Sequence, residues 1–282
     1  AVGGTLTLTD SSVTTSGAGA DGVFTGSGNT TRFLGGAIAT SGAGAVGFFA
    51  GGDGTETIDK DAAGQGATIT TSGAEAPGLF VTVAGTLAVN GATVTTSGAQ
   101  SDAALAVGGS ATIQGGAFTA KGERSAALAA NGVDGQTGGG DLRIDGARLV
   151  SAGVGVAAGG GGGVSGSNLT IVSGGIGVYA GPLDDGGVSS RTGGAVELTA
   201  SSIATSGAAA YGAFAGAGGF VSLSGGSITT SGAGAHGLYA SGVGLKASQL
   251  SASGLTITTT GQGAYGALAD NGSTLTLGSG TQ

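Results

Sequence analysis

The stretch Ile228-Thr-Thr-Ser-Gly-Ala-Gly-Ala-His-Gly-Leu-Tyr decides the fold, because Ile69-Thr-Thr-Ser-Gly-Ala-Glu-Ala-Pro-Gly-Leu-Phe is almost the same phrase elsewhere in the chain. Anchored on the glycine after the hydroxylated run, the phrase falls at Gly17, Gly42, Gly73, Gly98, Gly122, Gly174, Gly207, Gly232 and Gly261, and more loosely at Gly153. The intervals run from 21 to 33 residues. A period of this length with short apolar alternations is the signature of a solenoid, in which each copy buries its apolar face only by stacking on its neighbours.

Each copy divides into three segments. The first alternates apolar and hydroxylated residues, as in Thr5-Leu-Thr-Leu, Thr86-Leu-Ala-Val and Thr274-Leu-Thr-Leu. The second begins with an apolar residue in copy after copy (Val13, Ile38, Ile69, Val94, Phe118, Ile203, Ile228, Ile257) and continues into Thr and Ser. The third follows the anchor glycine and ends in a large residue. Period-two alternation predicts strands. Glycine interrupts every window long enough for a helix, at about 1 kcal/mol per interior glycine, so no helix competes. The expectation is an all-β chain: a three-sided β-solenoid of about ten rungs, continuous over residues 1–282 as a single domain. The chain starts and stops inside the repeat, so it reads as a segment of a longer repetitive protein.

The register follows from the same phrase. The seventh position after the anchor holds Phe24, Phe49, Phe80, Leu105, Phe214, Tyr239 and Leu268, joined by Leu128 and Tyr179 if their copies are shorter. A column this uniformly large and apolar is expected in the core, sharing its face with the glycine two residues before it. The fourth position varies (Asp21, Val46, Pro77, Asp102, Tyr211, His236, Tyr265) and is expected to face out. Tyr211, His236 and Tyr265 then form an exposed strip and a candidate contact surface.

Composition removes several function classes. Of 282 residues, 68 are Gly and none is Cys, Met or Trp, and the net charge is −8. An acidic chain with eight scattered Lys and Arg has no basic footprint for nucleic acid. Without Cys there are no disulfides and no thiolate metal site. The single His236 sits at a repeat position that other copies fill with Asp, Val, Pro or Tyr, so no catalytic triad is expected. Paired carboxylates for glycoside chemistry depend on separation in space, which leaves a polysaccharide-processing β-helix enzyme as the alternative. Outward Thr and Ser rows are also compatible with an ice-binding solenoid. No catalytic residue, cofactor or metal site is assigned.

Charge collects where the copies lengthen. Asp53, Glu56, Asp59, Lys60 and Asp61 lie in one stretch, and Asp184, Asp185 and Arg191 in another. Asp134, Asp141, Arg143, Asp145 and Arg148 lie in a third. Insertions in a solenoid map to outer loops, where binding often resides, so residues 51–66 and 181–194 are candidate interaction loops.

The two phrases quoted at the outset resemble the repeats of pertactin-like autotransporter passengers, the type V secreted proteins of Gram-negative bacteria, and the resemblance in style covers essentially the whole chain. It implies a right-handed parallel β-helix displayed on, or released from, the outer membrane. It implies an adhesin or virulence-associated stalk, with a host-cell surface or matrix component, or another copy of the rod, as partner. Membrane contact is expected only through the family's C-terminal barrel, which is not in this segment. The protease motifs that some passengers carry are absent, so no catalytic residue is implied.

Overall fold

The computed structural model describes residues 3–132, 138–185, 188–189, 192–242 and 246–282. Alternating apolar and hydroxylated residues form short strands that pair in parallel with the equivalent strand one turn later. The result is a parallel β-solenoid of about ten turns, with no helix among the described residues. Each turn supplies three strands; in the third turn these are Thr55–Asp59, Thr68–Thr71 and Leu79–Thr82. In two turns the first and second strands run on through the corner as single elements, Ala195–Thr205 and Phe220–Thr230. This joins the first two faces into one 19-stranded sheet, while the third face is a sheet of 10 strands.

The core is a set of ladders rising about 4.8 Å per turn. On the second face the column expected from the Thr-Thr-Ser strand is inside: Ile38, Ile69, Val94, Phe118, Leu149, Ile171, Ile203 and Ile228 stack in register and are buried. The second threonine of that strand is inside as well. Its hydroxyl donates to the carbonyl of the following corner, as Thr40 Oγ1 does to Ala45 O (2.8 Å), Thr71 Oγ1 to Ala76 O (2.6 Å) and Thr230 Oγ1 to Ala235 O (2.7 Å). A buried hydroxyl is thus satisfied within its own turn, as a dry core requires.

The anchor glycines are required by the stacking itself. A Cβ at Gly98 would fall 1.8 Å from the Gly73 carbonyl oxygen, and one at Gly232 1.8 Å from that of Gly207. From Gly42 onward the anchor glycines rest on the backbone of the turn before them, where an added Cβ would collide.

The third face corrects the expected register. The inward column is the sixth position after the anchor, Val156 and Val178 being its equivalents in two shorter copies: Val23, Phe48, Leu79, Ala104, Leu128, Val156, Val178, Ala213 and Leu238, all buried. Strand alternation therefore turns the seventh position outward. Phe24 is 62% exposed, and Phe49, Phe80, Phe214, Tyr239 and Leu268 are half-buried on the outside. Leu128 belongs to the inward column, opposite Ala104, whereas Tyr179 aligns with Phe214 as expected. The glycine at the fifth position makes room for the core of the next turn: a Cβ at Gly47 would meet Ile69 Cγ2 at 2.5 Å, and one at Gly78 Val94 Cγ1 at 2.3 Å.

Two of the charged stretches are also less loop-like than their composition suggests. Thr55–Asp59 is a regular strand paired with Thr30–Leu34 and with the strand after it, so only the corner at residues 60–67 is inserted there. Asp141–Asp145 and Arg148–Ser151 are likewise regular ladder strands. Three of the longer intervals fall between a third-face strand and the next first-face strand: after Ala126–Asn131, after Val178–Ala180 and after Leu238–Ser241.

Candidate functional site

The outward turn of the seventh position builds the most distinctive surface on the protein. At the early end Phe24 stacks on Phe49 (centroids 4.7 Å apart, planes at 15°), and Phe49 meets Phe80 edge-on at 5.6 Å. At the late end Tyr179, Phe214 and Tyr239 follow one another at 5.5 and 4.9 Å. Between them the column is Leu105, Ala129 and Ala157, all buried, with Leu183 packed over this small apolar cluster. The rings of this column thus fall into two patches, separated by rungs that carry Leu105, Ala129 and Ala157.

Tyr211, His236 and Tyr265 form a second stack beside the late patch. Tyr211 and His236 are nearly coplanar in orientation, 6° apart at 5.3 Å, and His236 and Tyr265 lie 5.2 Å apart. Tyr211 and His236 also meet Tyr239 edge-on, at 4.9 and 5.6 Å, which leaves both half-buried, while Tyr265 is 58% exposed. Six rings from two repeat positions make one patch. The Tyr265 amide donates to His236 Nδ1 (3.0 Å), and burial holds the imidazole below its ordinary pKa, so the ring is a neutral acceptor at pH 7. Tyr239 Oη donates to Asp270 Oδ2 at 2.9 Å. Elsewhere the fourth position is also covered: Val46, Pro77 and Asp102 are buried.

The charged candidates separate into distinct roles. Asp53 is exposed on a tight corner. Asp59 Oδ1 accepts from Asn90 Nδ2 (2.8 Å) and from the Lys60 amide (2.7 Å). The Lys60 stem lies over Gly91, where a Cβ would come 2.6 Å from its Cε. Asp61 Oδ1 accepts from the amides of Ala63 and Gln65, both at 2.8 Å, and so closes its own corner. The Gln65 amide, with further help from Asp10, lowers the Asp61 pKa, while the hydrogen bond with Asp61 raises that of Asp10. Asp184 and Asp185 lie on a short antiparallel ribbon with Val188–Ser189. Arg191 and Asp134 lie outside the described residues.

Glu56 was expected in an outer loop and is instead inside the coil. It occupies the inward slot of the first face between Thr31 and Leu87, is 1% exposed, and neither carboxylate oxygen has a hydrogen-bond partner. Sequence reasoning passed over a legible signal, since Thr55-Glu-Thr-Ile matches Thr86-Leu-Ala-Val and Thr5-Leu-Thr-Leu with Glu in the apolar slot. The aromatic patches were missed for a different reason. Positions six and seven are both apolar, and hydropathy alone does not assign their parity.

One shallow hollow on the first face gathers Arg143, Asp145, Ser167 and Glu197. Asp145 accepts from Ser167 Oγ (2.5 Å) and Asn168 Nδ2 (2.9 Å), and these bonds lower its pKa. Arg143 is held by Asp141 at 3.1 Å. Among the described residues no group of three or more His, Cys, Asp and Glu is placed to hold a metal ion. No known protein family matches the chain, and no curated protein is significantly similar to it.

Proposed function

We propose that this chain is a non-enzymatic bacterial rod of the autotransporter-passenger type, surface-displayed or secreted, whose outer third face makes the contacts. The observation that carries the reading is the pair of outward aromatic patches. A solenoid needs large apolar residues inside, and nothing in the ladder calls for stacked rings on its exterior. Exposed aromatic clusters of this kind are the usual anchors of protein contact surfaces. The rings stack on one another along the axis and so present edges outward, which suits a protein partner better than sugar rings that need an open aromatic face. The repeat style, the parallel solenoid and the lack of cysteine all support a passenger-like role. The partner is a host-cell or matrix protein, with lateral association between rods as the variant.

The test is binding of purified protein to host cells and matrix proteins, alongside sedimentation of the protein alone. Combined replacement of Tyr211, His236 and Tyr265 by Ala is expected to reduce binding or association at least tenfold while leaving the solenoid folded. Binding that survives both this change and Phe24→Ala with Phe49→Ala overturns the assignment of the third face.

A further inference from the structure

The inward ladder of the first face runs Leu6, Thr31, Glu56, Leu87, Ala111, Leu142, Val164, so one carboxyl group stands in a row made up otherwise of apolar side chains and the Thr31 hydroxyl. From this placement we propose that Glu56 is a built-in pH-responsive weak point, accommodated inside the coil when protonated and forcing the early turns to open locally when ionised.

The geometry around the group supports this. An ionised carboxylate is tolerated in a dry interior only when charges or hydrogen bonds compensate it. Here neither oxygen has a protein partner. On the adjoining strands the inward neighbours are Thr31 and Phe33 on one side, and Leu87 and Val89 on the other. On the third face the inward residues of the same turns are Thr25, Phe48, Ala50, Leu79 and Val81. None of these titrates. Arg32 and Asp59, the charged residues on the paired strands, alternate to the outside. On the neighbouring rung the polar side chains are a hydroxyl pair already bonded to each other, Thr25 Oγ1 donating to Thr31 Oγ1 at 2.7 Å. Burial accordingly pushes the carboxyl up to about 7.

The structure also offers a way out. A Cβ on Gly54 would stand 2.3 Å from Glu56 Oε1, so the carboxyl lies against the corner at residues 51–54, three of which are glycines. Displacement of that corner lets water reach the carboxylate, because no side chain at Gly54 bars the path. The element that moves is the early part of the stack, residues 29–59. The late turns keep their packing, since each turn depends mainly on its neighbours.

The sign is definite. Between the ordinary glutamate pKa of 4.5 and the folded value of about 7, the folded state binds more protons than the opened state, so stability falls as pH rises through that window and then levels off. Amide hydrogen exchange on the whole chain, corrected for intrinsic rates, reads the effect. From pH 5 to pH 8 the opening equilibrium of Thr30–Leu34 and Thr55–Asp59 is expected to rise about 100-fold. The strand Phe220–Thr230 should not share that rise. In Glu56→Gln and Glu56→Leu the early rise should vanish, and the leucine variant should be protected at both pH values. An early rise that persists in either variant, or its absence from the parent protein, overturns the proposal. Because the readout is local opening, it is independent of whether the aromatic face binds a partner.

Discussion

Replacing Gly98 with Ala adds one methyl group, yet the stacking makes it one of the most damaging small changes available. The new Cβ would stand 1.8 Å from the Gly73 carbonyl oxygen, 2.4 Å from its carbon and 2.8 Å from the Ala74 nitrogen. All three are backbone atoms, so no side chain can swing aside. Ordinary contact requires the two turns to separate here by about 1.5 Å, a third of the ladder rise. Flanking bonds from the Ser97 amide to Thr71 O (3.0 Å) and from the Glu75 amide to Ala99 O (2.9 Å) would then stretch beyond hydrogen-bonding range. Two backbone bonds lost in a partly buried setting cost about 3–5 kcal/mol together. Gly44→Ala provides the contrast. Gly44 has a φ of 68° with nothing within 4 Å of its Cβ position, and the same slot holds Ala209 at a φ of 51°. Only the left-handed backbone penalty applies, about 1 kcal/mol. Urea unfolding combined with residue-resolved hydrogen exchange would show G98A opening the turns around residues 71–101 while G44A remains close to the parent. Equal costs for the two, or a G98A cost below 1 kcal/mol, would refute the backbone-collision argument.

Two further outcomes test the register and the His236 stack. Ile69→Ala, in a fully buried slot between Ile38 and Val94, should cost about 3 kcal/mol; Phe49→Ala, on the outer face, should cost about 1 kcal/mol despite removing more atoms, as paired urea melts would show. Because burial lowers the His236 pKa below 6.5, the folded state binds fewer protons than the unfolded state; its contribution is present above 6.5 and lost as pH falls toward the folded value. Across a melt series from pH 7.5 to pH 5 the stability of the parent relative to His236→Gln should therefore decline, whatever change the two proteins share.

Architecture was legible because the repeat states it several times over. The Thr-Thr-Ser strand alternates cleanly, so Ile69 and Ile228 could be placed inside from pattern alone, and the anchor glycines marked the turns. The third face lacked that clarity. In Gly47-Phe48-Phe49-Ala50 two large residues adjoin, and which one enters the core depends on how the corner aims the strand. That angle is set by the close approach of Gly47 to Ile69, a contact between residues 22 positions apart. Glu56 erred in the opposite direction. Its charge suggested a loop, whereas register with Leu87 and Thr31 places it inside; tertiary stacking overrode the preference of the residue. The inserted corners were legible as irregularities of spacing, but their landing place was not. Nothing local to Leu183 announces that it packs against the cluster holding Leu105, Ala129 and Ala157.

That interruption of the aromatic column has a consequence for recognition. Phe80 and Tyr179 occupy the same column four turns apart, with the interrupting rungs between them, so the two patches are held about 19 Å apart along the axis. The spacer is a rigid ladder, and its length does not fluctuate as a flexible linker would. A partner able to engage both patches at that distance gains avidity from the second contact without first ordering a tether, whereas one of the wrong span is confined to single-patch affinity. The rod then selects its partner by measuring length as well as by chemistry.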